Sequence, residues 1–228
     1  PCLLFINGLD KDGASLENAV EMCRTQLDCL PVFLTMPVKA GGILEGVVDV
    51  RLKRFVRSGP GSAKAELLPV PTHVEDEVSR ARTRLVEAVA ESGETLLETY
   101  LAEGNLRDDA LLEGLRRCIV TRHLLPIYAG SATQNVGVWS LLDAVVGLFP
   151  SPAERGEAHP WYGIQPETQD THKRKGTGEE PFSAYVFKTI IDPFVGRLSY
   201  CRVVSGSVHA DSTVLNASHH VREKLGHF

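Results

Sequence analysis

Two short stretches decide the fold of this sequence, and the first is LFINGLD at residues 4–10. The second is PIYAGSA at residues 126–132. In each, a short apolar run ends in small and polar residues, a pattern typical of a buried strand that runs into a loop. Open α/β sheets bind ligands at the carboxyl ends of their strands. Both loops are therefore predicted to form a binding site.

The rest of the sequence alternates between helical and strand-like patterns. Apolar residues at helical spacing predict five helices, which begin near Ser15, Thr72, Glu94, Asp108 and Trp139, the third spanning about residues 94–103. Two of them carry predicted core positions: Leu111, Leu115, Cys118 and Ile119 in the fourth, and Trp139, Leu142, Val146 and Phe149 in the fifth. Ser15 can cap its helix, and Thr72 with Glu75 resembles a capping box. Strand-like runs at residues 31–35 and 46–50 flank a glycine turn. From residue 182 onward, alternating residues and glycines predict β-hairpins.

The two loops resemble the loops that read guanine in GTP-binding domains. Residues 7–10 match an Asn-Lys-x-Asp pattern, except that Gly8 occupies the lysine position. Guanine presents two adjacent N–H donors, and an ionised carboxylate such as Asp10 accepts both in a charge-assisted pair. The amide of Asn7 can cross-link the two loops.

The second loop matches the Ser-Ala loop of the same domains. Here the backbone N–H of Ala132 is predicted to donate to the base carbonyl, and Ser131 is predicted to support the loop. For an Asn-x-x-Asp motif alone, the simpler explanation is an Asx-turn after a strand. The pair of loops, in this order and each after an apolar strand, favours a guanine site.

The missing lysine affects affinity more than specificity. A lysine over the ring face contributes roughly 0.5–2 kcal/mol, and Gly8 lacks that contribution. Lys11 could compensate, but the sequence does not give its direction. We therefore predict weakened guanine binding with specificity retained, and tighter binding in a Gly8→Lys variant of the intact protein.

Nearly the whole chain resembles bacterial elongation factor G and its close relatives. The motifs that carry the resemblance lie at residues 7–10, 31–50, 130–132, 141–152, 186–198 and 204–206. The last two resemble the start of the family's second domain and are the most specific. The resemblance implies an α/β fold with a partial P-loop-GTPase-type sheet, an inserted α+β G′ subdomain and a truncated β-barrel.

The resemblance also implies a domain map. Residues 1–29 and 118–150 correspond to the rear half of a GTPase domain, and residues 30–117 to the G′ insert. Residues 151–181 are expected to be a linker because they are rich in Gly, Pro, Glu and Lys. Residues 182–228 would begin the barrel domain. The opening inside an apolar run leads us to expect truncation upstream.

By this resemblance, the parent protein is a ribosome-dependent GTPase that acts in translocation or recycling. It would be a cytoplasmic monomer that binds GTP and GDP with Mg²⁺, and its G′ helices would face the ribosomal stalk protein. The phosphate loop GxxxxGK[ST] and an Asp-x-Pro-Gly-His switch are absent from this sequence. No catalytic or metal-binding residue is therefore expected here, and this chain alone is not expected to hydrolyse GTP.

Two alternatives remain open at this stage. The chain could belong to a ribosome-docking module that descends from a GTPase and has degenerate nucleotide binding. It could also belong to a tetracycline-protection or release-factor type of relative. The state of the phosphate loop and switch in the parent protein would separate the enzyme from the docking module.

Composition excludes some classes of protein. The net charge of −5 argues against a simple electrostatic nucleic-acid binder. Residues 73–117 hold eleven acidic and six basic residues, which indicates either a solvated helix face or a docking face for a basic partner. No apolar run approaches the roughly 18 residues of a membrane span. The sequence has five cysteines, one of them Cys29, and an odd number cannot all pair as disulfides within the chain. We therefore expect reduced thiols in the core of a cytosolic protein.

Overall fold

The computed structural model describes residues 1–27, 30–165 and 168–226. The chain divides into two compact units, Pro1–Phe149 and Pro150–Phe228. Cys29 lies outside the described residues, as do residues 28, 166, 167, 227 and 228.

The first unit mixes short strands with helices. In chain order its elements are β1 (Leu4–Ile6), α1 (Leu16–Leu27), β2 (Pro31–Phe33), β3 (Thr35–Ala40), β4 (Ile43–Asp49), β5 (Arg54–Arg57), β6 (Glu66–Leu68), a 3₁₀ turn (Thr72–Val74), α2 (Glu75–Ala90), α3 (Glu94–Glu103), α4 (Asp108–Thr121), β7 (Leu125–Ala129) and α5 (Val138–Leu148).

A three-stranded parallel sheet carries the two loops. Its strand order is β1-β7-β2, and both neighbours of β7 run parallel to it. β7 is buried along its whole length, whereas β1 is only half-buried. β1 and β7 therefore release the two loops at the same edge of the sheet.

A four-stranded antiparallel sheet, β3-β4-β5-β6, forms the second layer of strands. The sequence pattern predicted one strand over residues 31–35, but two strands occupy this region. The chain changes sheets at Leu34, whose N–H donates to Ile127 O at 2.9 Å and whose carbonyl accepts from Val50 N at 2.9 Å. The predicted turn at Gly41 and Gly42 is confirmed by their φ angles of 56° and 85°.

Helices α2 and α4 contribute nearly half of the buried residues of the larger apolar cluster. The predicted stripe of α4 is confirmed, because Leu111, Leu115, Cys118 and Ile119 are all buried. Burial raises the pKa of the Cys118 thiol. The expectation of core thiols fails elsewhere, since Cys2 and Cys201 are exposed and Cys23 is only half-buried.

The predicted helix caps are correct in one case and wrong in another. Asn18 N donates to Ser15 Oγ at 3.2 Å, so Ser15 caps α1 as expected. Thr72 forms no capping box, because residues 72–74 make a 3₁₀ turn and α2 begins at Glu75 without a side-chain cap.

The second unit is rich in hairpins. Its elements are α6 (Pro152–Ala158), β8 (Trp161–Ile164), β9 (Thr171–Arg174), β10 (Ser183–Asp192), β11 (Gly196–Ser205), β12 (Thr213–Asn216) and β13 (Val221–Lys224). The strands pair antiparallel as β8-β9, β10-β11 and β12-β13. The segment expected to be a linker therefore contains a helix and a hairpin. Ser151 and Glu154 form a capping box at the start of α6.

One further expectation differs from the structure. Leu142 and Val146 were predicted to lie in the core, yet they are 52% and 84% exposed on α5. The buried face of this helix is formed by Ser140, Ala144 and Leu148. Within the described part of the chain, no helix combines the length and apolar character of a bilayer span.

Candidate nucleotide-base site

The two predicted loops lie side by side. We call residues 7–11 the first base loop and residues 130–137 the second base loop. Backbone hydrogen bonds join them, from Leu9 N to Gly130 O at 3.2 Å and from Gly130 N to Ile6 O at 3.1 Å. Asn7 Oδ1 also accepts from Ala132 N at 2.9 Å. The cross-link predicted for Asn7 is thus present, although it uses the oxygen of the side-chain amide.

Asp10 has an unused acceptor. Its Oδ1 is buried and accepts no hydrogen bond from the described residues. Interaction with the Ser131 hydroxyl is the main cause that lowers the pKa of Asp10, and the positive charges of Lys11 and Lys39 lower it further. The carboxylate is therefore ionised at neutral pH and lies beside the second base loop. A buried acceptor without a donor costs free energy, and an N–H donor of a ligand that reached this oxygen would satisfy it.

Ser131 supports the second base loop from within, as predicted. The residue is fully buried. Its Oγ lies 3.2 Å from Thr133 Oγ1 and accepts from Gln134 N at 3.3 Å. An antiparallel bridge between Ser131 and Val136 closes the base of the loop, with N–O distances of 3.0 and 2.9 Å. Added side chains at Gly130 or Gly137 would collide with backbone carbonyls across this bridge.

The backbone N–H of Ala132, predicted to donate to the base carbonyl, has a partner within the protein. It already donates to Asn7 Oδ1, so its single proton is engaged within the protein. A base carbonyl would have to share this donor or displace Asn7. The predicted contact between Ala132 and the base therefore stays a prediction, and it now requires a small rearrangement of Asn7.

Gly8 and Lys11 occupy neighbouring space. Gly8 has φ = 80°, a region that strongly favours glycine. A Cβ atom at Gly8 would lie 3.8 Å from Lys11 Cδ and 3.9 Å from Lys11 Cε. Lys11 therefore extends along Gly8, where a lysine at position 8 would begin. A lysine at position 8 would bear roughly 1–2 kcal/mol of strain, which would lower the stability of the folded protein. The tighter binding expected for Gly8→Lys stays a prediction.

Three residues that hold the second base loop were missed in the sequence. Thr35 Oγ1 accepts from Ala129 N at 2.8 Å. Ser58 Oγ donates to Asn135 O at 2.6 Å, and Asn135 Nδ2 donates to Gly59 O at 3.3 Å. These partners are 94, 77 and 76 positions apart. No local sequence pattern encodes pairs so far apart. One weak signal is the residue type at position 135, because asparagine adopts a positive φ, here 54°, more readily than most residues.

The chain is similar to one known domain family and to a known crystal structure. Residues 181–227 match the family described as elongation factor G domain 2. The crystal structure of ttk003000868 from Thermus thermophilus is similar, with a TM-score of 0.76 and 26% sequence identity. The similarity covers 99% of this chain and 30% of that one. The chain thus spans about 30% of the length of that relative.

These similarities relate the chain to proteins with a mixed α/β fold. More particularly, residues 181–227 resemble domain 2 of elongation factor G, the family that the sequence motifs predicted.

Proposed function

We propose that this chain supplies the guanine-binding part of an elongation-factor-G-like translational GTPase that binds GTP and acts on the ribosome in translocation or recycling. The observation that carries this proposal is the carboxylate of Asp10. Its buried Oδ1 has no partner among the described residues, and Asn7 ties its loop to the second base loop.

The proposed domain map follows the family. Residues 1–29 and 118–150 form the rear half of the GTPase domain, and residues 30–117 form the G′ insert. Residues 182–228 begin a β-barrel domain, a proposal supported by the domain 2 match. The parallel order β1-β7-β2 fits the edge of a P-loop-type sheet.

Within this proposal, the chain's own residues recognise the base. Asp10 accepts the two N–H groups of guanine, Asn7 keeps the loops together, and Ser131 holds the second loop in shape. GTP supplies the phosphoryl group that is hydrolysed, with Mg²⁺ as its counter-ion. This chain contributes specificity, and we assign no catalytic residue or metal ligand within it.

The acidic helices are the proposed contact with the ribosomal stalk protein. All eleven acidic residues between positions 73 and 117 are exposed. On α3, Leu97 and Leu101 are 38% and 75% exposed and lie beside Glu94 and Glu98 on the helix. An acidic face with an apolar strip fits a basic amphipathic partner. We further propose that the parent protein is a cytoplasmic monomer.

A second candidate function is a ribosome-docking module that has lost effective nucleotide binding. Two observations favour it: Gly8 replaces a lysine, and Asn7 engages the N–H of Ala132. In this alternative the acidic face remains the working surface, and the base loops persist as structural supports.

The test is nucleotide binding by the full-length protein, followed by ribosome-stimulated GTP turnover. We expect Asp10→Asn to weaken GDP binding on the order of 10²- to 10⁴-fold, because two hydrogen bonds to a charged acceptor are lost. The same variant should gain affinity for xanthosine diphosphate, whose 2-oxo group can accept from the new amide.

Asp12→Asn is the matched control, since Asp12 is exposed two positions further along and should leave GDP binding unchanged. Equal GDP affinity of wild type and Asp10→Asn would refute the base site. Ribosome binding without measurable GDP binding would favour the docking module.

A further inference from the structure

The second base loop is held by the four-stranded sheet β3–β6 as well as by its own strand. Ser58, in the turn after β5, is 8% exposed, and its hydroxyl donates to Asn135 O at 2.6 Å. Asn135 Nδ2 donates back to Gly59 O at 3.3 Å. Each residue thus bonds through its side chain to the backbone of the other segment, which makes a reciprocal clamp.

Two more contacts fix the strand that leads into this loop. Thr35, at the start of β3, is fully buried and accepts from Ala129 N, the last residue of β7. Leu34 N donates to Ile127 O at 2.9 Å. The four-stranded sheet therefore holds both the strand and the tip of the second base loop.

Apolar packing brings the first base loop against the same sheet. Leu9 is 2% exposed and belongs to one buried cluster with Leu44, Val47 and Val56 of the sheet and with Val136 of the second base loop. Both base loops thus share a core with strands β4 and β5, so displacement of those strands would displace the loops.

We infer that Ser58 and Asn135 are positioning residues of the nucleotide-base site, which clamp the second base loop to the four-stranded sheet. This inference depends on the proposed function, because it assigns the clamp to guanine binding. Neither residue contacts the base. They act by holding the turn from Ser131 to Val136 in the shape that lets Ala132 N donate to the 6-oxo group of the base once Asn7 has moved away from it.

The experiment uses the full-length protein with Ser58→Ala and Asn135→Gly variants. Glycine at position 135 keeps the positive φ of 54° while it removes the side chain. Ser62→Ala is the matched control, because Ser62 Oγ accepts from Gly59 N at 3.1 Å within the same turn and so bonds to the turn itself rather than to the second base loop. Thermal unfolding checks that each variant is folded.

The measurement is the dissociation constant for GDP, inosine diphosphate and ADP. Inosine diphosphate retains the 6-oxo group and lacks the 2-amino group that Asp10 would read. We expect Ser58→Ala and Asn135→Gly to weaken GDP and inosine diphosphate equally, about 3- to 10-fold each, as for one lost hydrogen bond. ADP binding should hardly change, so the preference for the 6-oxo base falls.

Three results would overturn the inference. GDP affinity equal to wild type in folded Ser58→Ala and Asn135→Gly would show that the clamp does not position the site. Equal weakening by Ser62→Ala would assign the effect to the turn as a whole. A changed ratio of GDP to inosine diphosphate affinity would place the effect at Asp10. If the wild type itself does not prefer GDP to ADP, the proposed function fails first, and this result is distinct from all three.

Discussion

At the scale of single residues, the most informative pair is Gly8 and Lys11. Gly8 leaves no side chain to cover the base, and its φ of 80° disfavours one. Lys11 N donates to Gly8 O at 3.1 Å, and this tight turn brings the lysine back over the glycine. Lys11, three positions later, can thus occupy the space that the lysine side chain of the motif would fill.

We predict that Lys11→Ala weakens GDP binding of the full-length protein about 2- to 10-fold, as expected for a lost cation over a ring face. Isothermal titration calorimetry would measure the change. Lys39→Ala is the control, because Lys39 also lowers the pKa of Asp10 by its charge but belongs to β3. If the two variants weaken binding equally, Lys11 acts only through its charge on Asp10.

The contacts of candidate-site residues that directly follow a predicted strand could be predicted from the sequence. Asn7 and Ser131 form the contacts that their types and positions suggested, and Asp10 Oδ1 is buried without a hydrogen-bond partner among the described residues. The sequence did not show that Ala132 N would donate to Asn7, because this hydrogen bond depends on how the two loops meet. The roles of Ser58 and Thr35 could not be predicted either, because a single buried serine or threonine forms no periodic pattern in the sequence.

At the scale of elements, periodic apolar positions predicted helices better than end signals predicted their boundaries. The predicted helix over residues 94–103 corresponds to α3, and the predicted stripe of α4 is buried throughout. Helix α4 has a strong reason to form, since the side chains on its buried face remove apolar area from water; α3 has no fully buried side chain. End signals are weaker, because Thr72 can enter a 3₁₀ turn at little cost, whereas Pro152 after Ser151 favours a helix start.

The close packing of α4 against its neighbours makes a second prediction. A Cβ added at Gly114 would lie 2.5 Å from Val89 Cγ1 and 2.9 Å from Leu96 Cδ1, and Val89 is fully buried. We expect Gly114→Ala to lower the free energy of unfolding by about 1–3 kcal/mol, although alanine favours helix. Chemical denaturation monitored by circular dichroism would measure it.

Gly147 provides the matched control for this substitution. It also lies in a helix, but it is exposed and an added Cβ meets no atom within 4 Å. Gly147→Ala should therefore raise stability by roughly 0.5–1 kcal/mol. The same sign of change at both positions would contradict the packing of α4 against α2 and α3 described above.

At the scale of the whole molecule, nucleotide binding should stabilise one of the two units and not the other. The base loops, the parallel sheet and the four-stranded sheet all belong to the unit Pro1–Phe149. The unit Pro150–Phe228 is built from separate hairpins. A ligand that binds only the folded site raises the free energy of every opening that destroys the site, and it leaves the free energy of other openings unchanged.

Hydrogen exchange of the full-length protein with saturating GDP tests this difference between the units. At a concentration one hundred times Kd, openings that break the base site become about 2.7 kcal/mol more costly, which slows exchange roughly 100-fold. We expect this slowing at Leu34 N and Ala129 N, which bond to Ile127 O and Thr35 Oγ1. It should be absent at Gly206 N, which bonds to Thr177 O in the other unit. Equal slowing at all three amides would mean that the two units open together, and no slowing at Leu34 would show that the four-stranded sheet does not support the site.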